Sequence, residues 1–181
     1  MKIILDCGSY WGNSVDKFRS LISDIDDYKI FMFEPNPAHF SKIQKNSKYD
    51  SCIKYNKAVS IKNGISRLYG NFSDDTFCGY TLKTEKANFD KTLESYFDVE
   101  TIDIVEFIEN NLSKDDSIIL KLDVEGEEYD ILEKIIKNNM EKRFDKIYCE
   151  FHSQWLNHSF YEREFKIKQY IPNIEYWDAL S

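Results

Sequence analysis

The chain has 181 residues, of which 42% are hydrophobic and 15% aromatic, so it can bury a two-sided core and is not expected to be disordered. Its formal net charge of −8 would repel a nucleic-acid backbone, and without a basic patch nucleic acid is not an expected partner. No apolar run approaches the roughly 20 residues that cross a bilayer, so we expect no membrane span.

Alternating apolar runs and amphipathic stretches predict strands that alternate with helices. Short continuous apolar runs are typical of strands buried on both faces, and apolar residues spaced three or four apart are typical of helices. Prolines at 35 and 37 end the second run and favour the first turn of a helix. The predicted strands are, in chain order, 2–6, 29–34, 52–59, 65–69, 97–102, 117–123, 146–151 and 174–177. One predicted helix follows an N-cap at Asn13-Ser14, and another opens at 124–128. Three further helices are predicted at 38–45, 104–112 and 160–170.

The middle of the chain is less regular. Lys62-Asn63-Gly64 is a hairpin-turn pattern that leads into the strand at 65–69. Residues 70–95 show no periodicity and are rich in Asp, Thr and aromatic residues. Long irregular stretches in compact domains are often binding loops or lids, and we expect one here.

The alternation predicts an α/β fold over residues 1–181: a single Rossmann-like domain with a doubly wound, mostly parallel sheet. Right-handed crossovers put the carboxyl ends of the strands on one edge, where ligands bind. Four predicted strands end in an acid, at Asp6, Glu34, Asp123 and Glu150. Single acids are common in loops, but four on one edge would repel one another, so we expect a shared cation or hydroxyl-rich ligand.

The loop after the first strand has features of a nucleotide site. Gly8 and Gly12 allow close backbone approach, and the helix N-terminus behind them favours a ligand carboxylate. The loop is neither the Gly-x-Gly-x-x-Gly fingerprint nor a P-loop. Glu34, at the end of the second strand, can accept two hydrogen bonds from ribose hydroxyls. Together these features indicate a nucleoside with an amino-acid-like tail.

At these residues the sequence resembles the FkbM-type methyltransferases. The resemblance runs in order along nearly the whole chain, and its last segment is the most specific: Asp6-Cys7-Gly8 with Gly12, Phe33 to Pro37, Asn56 to Ser60 with Asn63-Gly64, and Lys121 to Glu127. It implies an S-adenosylmethionine-dependent enzyme, usually an O-methyltransferase acting on hydroxyls of sugars or glycosylated metabolites.

The resemblance also implies a set of cofactor-binding residues. Asp6, Gly8 and Gly12 would hold the methionine part, Glu34 the ribose, and Asn56 to Ala58 would border the adenine; Ser9, Asn13, Pro35 and Asp123 complete the set. Two departures stand out. Ser9-Tyr10-Trp11 replaces the small residues and Asn usual in this loop, and the chain ends soon after 146–151, so the final strand pair is expected to be short or incomplete.

Methyl transfer to a sugar hydroxyl needs a base or a metal, because a hydroxyl is a poor nucleophile. Asp123 and Glu150, with Glu125 as a third ligand, are candidates for binding Mg²⁺ or Mn²⁺. The alternative is that Asp123 caps the next helix and Glu150 pairs with Lys121. Lys121 shares a strand face with Asp123 and is also a catalytic candidate, as a charge partner of that carboxylate rather than as a base. His152 is the candidate general base, or else it only hydrogen-bonds nearby backbone.

Two other functions stay open. Another Rossmann-like nucleotide enzyme, such as a nicotinamide dehydrogenase, is disfavoured by the missing fingerprint. A non-catalytic module that keeps the cofactor fold fits the short C-terminal region, but it has no need for clustered acids. The expected partner is a small-molecule or glycan acceptor, and the sequence indicates no oligomeric state. Four cysteines without metal-ligand spacing, and no signal-like segment after Met1, lead us to expect a cytoplasmic protein.

Overall fold

The computed structural model describes residues 1–74, 76–89 and 95–178. Within them the strands are β1 (Lys2–Cys7), β2 (Tyr28–Phe33), β3 (Ile53–Tyr55), β4 (Ala58–Ser60), β5 (Gly64–Gly70), β6 (Ser95–Asp103), β7 (Ser117–Leu122), β8 (Lys146–Cys149) and β9 (Ile174–Tyr176). The helices are α1 (Asn13–Leu21), α2 (Pro37–Lys45), α3 (Thr84–Phe89), α4 (Ile104–Asn111), α5 (Glu128–Lys137) and α6 (Ser159–Tyr170).

Six strands form a parallel sheet in the order β3-β2-β1-β7-β8-β9. The order of the strands reverses between β1 and β7, and this reversal is the position where α/β sheets bind their ligands. The predicted α/β fold with a mostly parallel sheet is therefore confirmed. The terminal strand is short, as expected, and pairs in parallel with β8.

The faces of β1 contact two different hydrophobic clusters. Ile3 and Leu5 pack with apolar residues of α4, α5 and α6. Ile4 packs on the other face with Phe18 of α1 and Ile43 of α2. Successive strand residues point to opposite faces, so a continuous apolar run is what a sheet covered on both sides requires.

A second sheet, with the order β4-β6-β5, corrects two of the predicted elements. The predicted strand 52–59 is divided, since β3 belongs to the first sheet and β4 to the second. The chain leaves the first sheet at Asn56, whose Nδ2 donates to the carbonyl oxygens of Glu34 and Pro35 at 2.8 and 3.0 Å. The alternation of side chains does not reveal a change of partner strand, and for that reason the pattern predicted one strand.

The predicted hairpin at Lys62-Asn63-Gly64 is wrong in its pairing. The chain does turn there, but β6 lies between β4 and β5, parallel to the first and antiparallel to the second. The Asn63 side chain accepts from the Asp103 N–H at 3.0 Å and donates to Glu106 at 2.8 Å. The turn is thus attached to the end of β6, which a local turn pattern cannot indicate.

Two helix starts also differ from the prediction. Gly12, with a left-handed φ of 94°, is the N-cap of α1, and Asn13 is its first residue. Helix α5 begins at Glu128 because Glu125 and Gly126 have positive φ values of 56° and 113°, which are incompatible with a helix at 124–126. By contrast, α2 begins at Pro37, one residue before the predicted start, and the Asn36 side chain accepts from the Ala38 N–H at 2.8 Å.

Among the helices in the described part of the chain, none is long and apolar enough to cross a membrane. The four cysteines are free thiols, three of them buried and Cys78 exposed.

Candidate active site

The loop after β1 is attached to both neighbouring strands. The N–H groups of Gly8 and Ser9 both donate to Phe33 O of β2 at 3.0 Å. On the other side, Lys121 Nζ of β7 donates to Gly8 O at 2.5 Å. Gly8 has a φ of 83°, and a Cβ added to it would lie 1.8 Å from Asp123 O, so this contact requires glycine. The loop is therefore held rigidly at the switch point of the sheet.

Asp6 lies beneath this loop and is completely buried. Its Oδ2 accepts from Ser14 Oγ in the first turn of α1 at 2.7 Å, and its Oδ1 lies 3.4 Å from Lys121 Nζ. Asp6 therefore fixes the start of α1 against the sheet.

Glu34 follows β2 and is buried with both carboxylate oxygens in use. Oε2 accepts from the Tyr10 N–H at 2.8 Å, and Oε1 accepts from the Asn36 N–H at 2.9 Å. Burial raises the pKa of Glu34 to about 8, although these two backbone donors favour the ionised form. Each oxygen keeps capacity for a further hydrogen bond, and His39 Nδ1 lies 3.8 Å from Oε1.

A cavity of about 180 Å³ opens at the carboxyl ends of the parallel strands. It collects most of the residues expected at the site: Gly8, Ser9, Asn13, Glu34, Pro35, Ala58, Lys121, Asp123, Glu125 and Glu150. Four other expected residues lie around the cavity without lining it: Asp6, Gly12, Asn56 and His152. Of the four acids at the strand ends, Glu34, Asp123 and Glu150 thus line the cavity, and Asp6 lies below it.

The irregular segment expected to be a binding loop or lid forms one wall of this cavity. Cys78, Tyr80 and Leu82 line the space. The segment is attached by Tyr10 Oη, which donates to Thr76 O at 2.9 Å, and by the Thr81 hydroxyl. Its helix α3 had no counterpart in the predicted elements, and residues 75 and 90–94 of the segment lie outside the described residues.

Acidic groups surround a buried histidine at the edge of the cavity. His152 Nε2 lies 3.3 Å from Glu125 Oε2 and 3.9 Å from Asp123 Oδ1 and Glu150 Oε1. Its Nδ1 lies 3.1 Å from Oε1 of Glu128, which is fully buried. Burial alone would lower the pKa of His152, but Glu125 and Glu128 together raise it to about 9.

Lys121 and Glu150 complete the charge pattern. Lys121 Nζ lies 3.4 Å from both Asp6 and Asp123, and these carboxylates raise its pKa against the opposing effect of burial. Burial raises the pKa of Glu150 to about 7, with Asp123 and Glu125 adding to the effect. Asp123 does not cap α5, whose N-cap position is Glu127.

The sequence model of the methyltransferase FkbM domain matches residues 6–173. The chain belongs to the FkbM methyltransferase family.

A solved structure has the same fold as this FkbM family member. Methyltransferase FkbM from Methylobacillus flagellatus superposes with a TM-score of 0.57 over 97% of this chain, at 12% sequence identity. The match covers 40% of that protein, so the present chain spans less than half of its length. No curated protein sequence matches the chain.

Three buried polar residues of this FkbM domain were not among the predicted site residues. His39, in the first turn of α2, lines the cavity and contacts the rings of Tyr10 and Tyr80. Glu128 belongs to the acidic run after β7, so its type was visible but its contact with His152 was not. Lys86 pairs with Glu125 from α3, in a segment without periodicity, where no pattern indicated it.

Proposed function

We propose that this FkbM-family chain is an S-adenosylmethionine-dependent O-methyltransferase acting on a hydroxyl of a sugar or glycan-bearing small molecule. We further propose that residues 1–181 work as one methyltransferase domain, because both sheets contribute walls to the cavity: Ala58 and Leu68 come from the second sheet. The observation that carries the proposal is Glu34, a carboxylate in this cavity beside the glycine loop and the N-terminus of α1.

The described residues fit such a cofactor. The N-terminus of α1, behind Gly8 and Ser9, favours the carboxylate of a methionine tail. Glu34 can accept hydrogen bonds from two ribose hydroxyls, and Ala58 offers an apolar contact to the adenine ring. The carboxylates of Asp123 and Glu150 favour the positive charge of a sulfonium. When bound, the cofactor would supply an electrophilic methyl group.

The chain would then have to orient the acceptor and take its proton. As the acceptor oxygen forms a bond to the methyl carbon, the carbon–sulfur bond breaks and the hydroxyl proton leaves. We propose Glu150 as the group that receives this proton, because it lines the cavity whereas His152 does not. Both ring nitrogens of His152 already face carboxylates, so it is better placed to fix the acidic groups than to contact an acceptor.

Calorimetry with S-adenosylmethionine, S-adenosylhomocysteine and NAD tests the cofactor. We expect micromolar binding of the two sulfur ligands, about −8 kcal/mol, and its loss in Glu34→Ala. Binding of NAD alone would favour a dehydrogenase instead. If none of the three ligands gives a heat of binding, the non-catalytic module would be favoured.

Transfer of a labelled methyl group to a panel of sugars and glycosides tests the reaction. Glu150→Gln is expected to bind S-adenosylhomocysteine normally while transferring methyl groups at least about 100-fold more slowly. Normal turnover in this variant would exclude Glu150 as the base.

Because the four cysteines are free thiols, we also propose a reducing, cytoplasmic setting.

A further inference from the structure

Two carboxylates and one imidazole converge at the edge of the cavity. One ligand atom from each of Asp123, Glu125 and His152 lies within 4.8 Å of the other two. His152 Nε2 lies 3.3 Å from Glu125 Oε2 and 3.9 Å from Asp123 Oδ1. Ligands bound at about 2.1 Å from a metal ion lie about 3 to 3.5 Å apart, so small side-chain rotations would suffice.

The backbone that carries the two carboxylates is held in an unusual conformation. Glu125 has a φ of 56°, which is uncommon for a residue with a side chain. Two bonds maintain it: Thr81 Oγ1 donates to Glu125 O at 2.5 Å, and the Gly126 N–H donates to Glu128 Oε2 at 2.7 Å. Strained conformations persist where the surroundings enforce them, and they cluster at functional sites.

Glu128 sets the orientation of the histidine. Its Oε1 accepts from the His152 backbone N–H at 3.0 Å and lies 3.1 Å from His152 Nδ1. This contact orients the imidazole with Nδ1 towards Glu128 and Nε2 towards the carboxylates of Glu125 and Asp123. Histidines that bind metals are held in this manner, with the second nitrogen donating to a carboxylate.

We propose that Asp123, Glu125 and His152 bind a divalent transition-metal ion of the Mn²⁺ type, with Glu150 outside the ligand set. Carboxylates suit Mn²⁺ and imidazole suits the later first-row ions, so a site that combines the two favours a divalent transition-metal ion over Mg²⁺, which prefers oxygen ligands. Asp123 and Glu125 line the cavity, so an ion bound by them would be accessible from it. The role of the ion in activating an acceptor hydroxyl rests on the proposed function, but its binding does not.

Lys86 competes with such an ion. It is buried, and its ammonium group pairs with Glu125 Oε2, the oxygen closest to His152. A metal ion has to displace this ammonium group. Lys86→Met, which keeps most of the length of the side chain and removes its charge, is therefore expected to tighten metal binding.

Electron paramagnetic resonance of the full chain, freed of metal with EDTA and titrated with Mn²⁺ alone, tests the proposal. We expect one bound Mn²⁺ per chain, with electron spin echo modulation from a directly bound imidazole nitrogen. Mg²⁺ in large excess should displace it poorly. His152→Gln should lose the nitrogen modulation and weaken binding at least about 100-fold, and Glu150→Gln should bind as the wild type does.

Several outcomes would overturn the metal site. No Mn²⁺ binding in the wild type and Lys86→Met would mean that the cluster is an ion-pair network only. Binding without nitrogen modulation, or binding lost in Glu150→Gln and kept in His152→Gln, would assign other ligands. Circular dichroism and S-adenosylhomocysteine binding show whether His152→Gln folds. If it does not, Glu125→Gln takes its place, because this variant is also expected to lose Mn²⁺ binding.

The same measurements separate this proposal from the proposed function. Mn²⁺ binding in a protein that binds neither sulfur ligand would refute the methyltransferase and leave the metal site standing. Methyl transfer that persists in EDTA, by a protein that binds no Mn²⁺, would refute the metal site alone.

Discussion

At the scale of single residues, glycine is required where the first loop meets the end of β7. Gly8→Ala is expected to lower the free energy of unfolding in two ways. It carries about 1 kcal/mol of left-handed strain, and it overpacks the Asp123 carbonyl, which adds about 1–3 kcal/mol. Gly64→Ala is the matched control, because Gly64 also has a positive φ but nothing lies within 4 Å of the added Cβ. Denaturant unfolding measures both, and equal losses would contradict the close contact.

Glu34 is the residue from which we expect a pH dependence of stability. Its pKa is raised by burial to about 8 in the folded chain, above its ordinary value of 4.5. The folded state therefore keeps a proton that the unfolded state loses, and the contribution of Glu34 to stability is full below pH 4.5 and falls as the pH rises towards 8. Asp6 adds to this shift, and Lys121 and the Tyr10 and Asn36 N–H groups oppose it.

The midpoint of thermal unfolding of the wild type and of Glu34→Gln, measured from pH 5 to 9, tests this dependence. The amide does not ionise, so the variant should gain stability relative to the wild type as the pH rises, with no further change above about 8. Subtracting the two curves removes the contribution of groups that do not interact with Glu34. Parallel curves would show that Glu34 is ionised in the folded chain throughout.

At the scale of elements, a buried hydroxyl is one of the groups that join the segment between β5 and β6 to the turn after β7. Thr81 Oγ1 donates to Glu125 O and accepts from the Lys83 N–H at 3.0 Å. Thr81→Val keeps the shape and leaves both backbone groups without this partner, so we expect a loss of about 1–3 kcal/mol. Thr76→Val is the control, because its hydroxyl bonds to exposed Asp74 and its loss should stay within about 0.5 kcal/mol.

Hydrogen exchange locates the effect of Thr81→Val. In this variant, the amides of the segment between β5 and β6 should exchange faster than in the wild type, while those of β1 and β7 should not. A uniform increase over the whole chain would mean that the segment is not a separate unit of local stability.

The residue after β9 connects the last strand to α1. Trp177 is 1% exposed and packs on Phe18 of α1 and Tyr148 of β8, with ring centroids 4.9 and 5.4 Å away. Trp177→Ala should therefore cost about 3–5 kcal/mol. The neighbouring Tyr176 is 69% exposed, and Tyr176→Ala should cost less than about 1 kcal/mol. Equal midpoints of unfolding for the two variants would contradict the packing of β9 against α1.

At the scale of the whole molecule, the chain is acidic, with a net charge of −8, but buried cations accompany the carboxylates at the edge of the cavity. Lys121 lies between Asp6 and Asp123, and Lys86 pairs with Glu125. The acids that the sequence places at strand ends are thus partly neutralised before any ligand binds. Repulsion among them alone does not demand a cation from outside the chain.

The position of the cavity could be predicted because it follows from local patterns and one general rule. The apolar runs of β1, β2 and β7 are continuous, since both faces of the sheet are covered, and parallel strands bring their carboxyl ends to one edge. Glu34 and Asp123 could therefore be placed in one space from the sequence. The glycines of the first loop could be placed in the same way, because their conformational freedom is a property of the residue itself.

The partners within the site could not be predicted, because they are chosen by contacts between distant parts of the chain. His152 meets Glu128 across 24 positions, and Glu125 meets Lys86 across 39. The division of strand 52–59 between two sheets has the same cause, since β6 inserts beside β4 from a distant segment.

The sequence by itself thus determined the α/β class and the edge of the sheet at which the cavity opens, because strand burial, glycine and proline act locally, and its motifs identified the family by resemblance. Only the tertiary structure decided which acids face the cavity, that Asp6 lies beneath it, and that His152 rather than Glu150 completes the cluster with Asp123 and Glu125. The physical reason is that these choices depend on distances of a few ångströms between side chains on different elements, which packing sets and residue order does not.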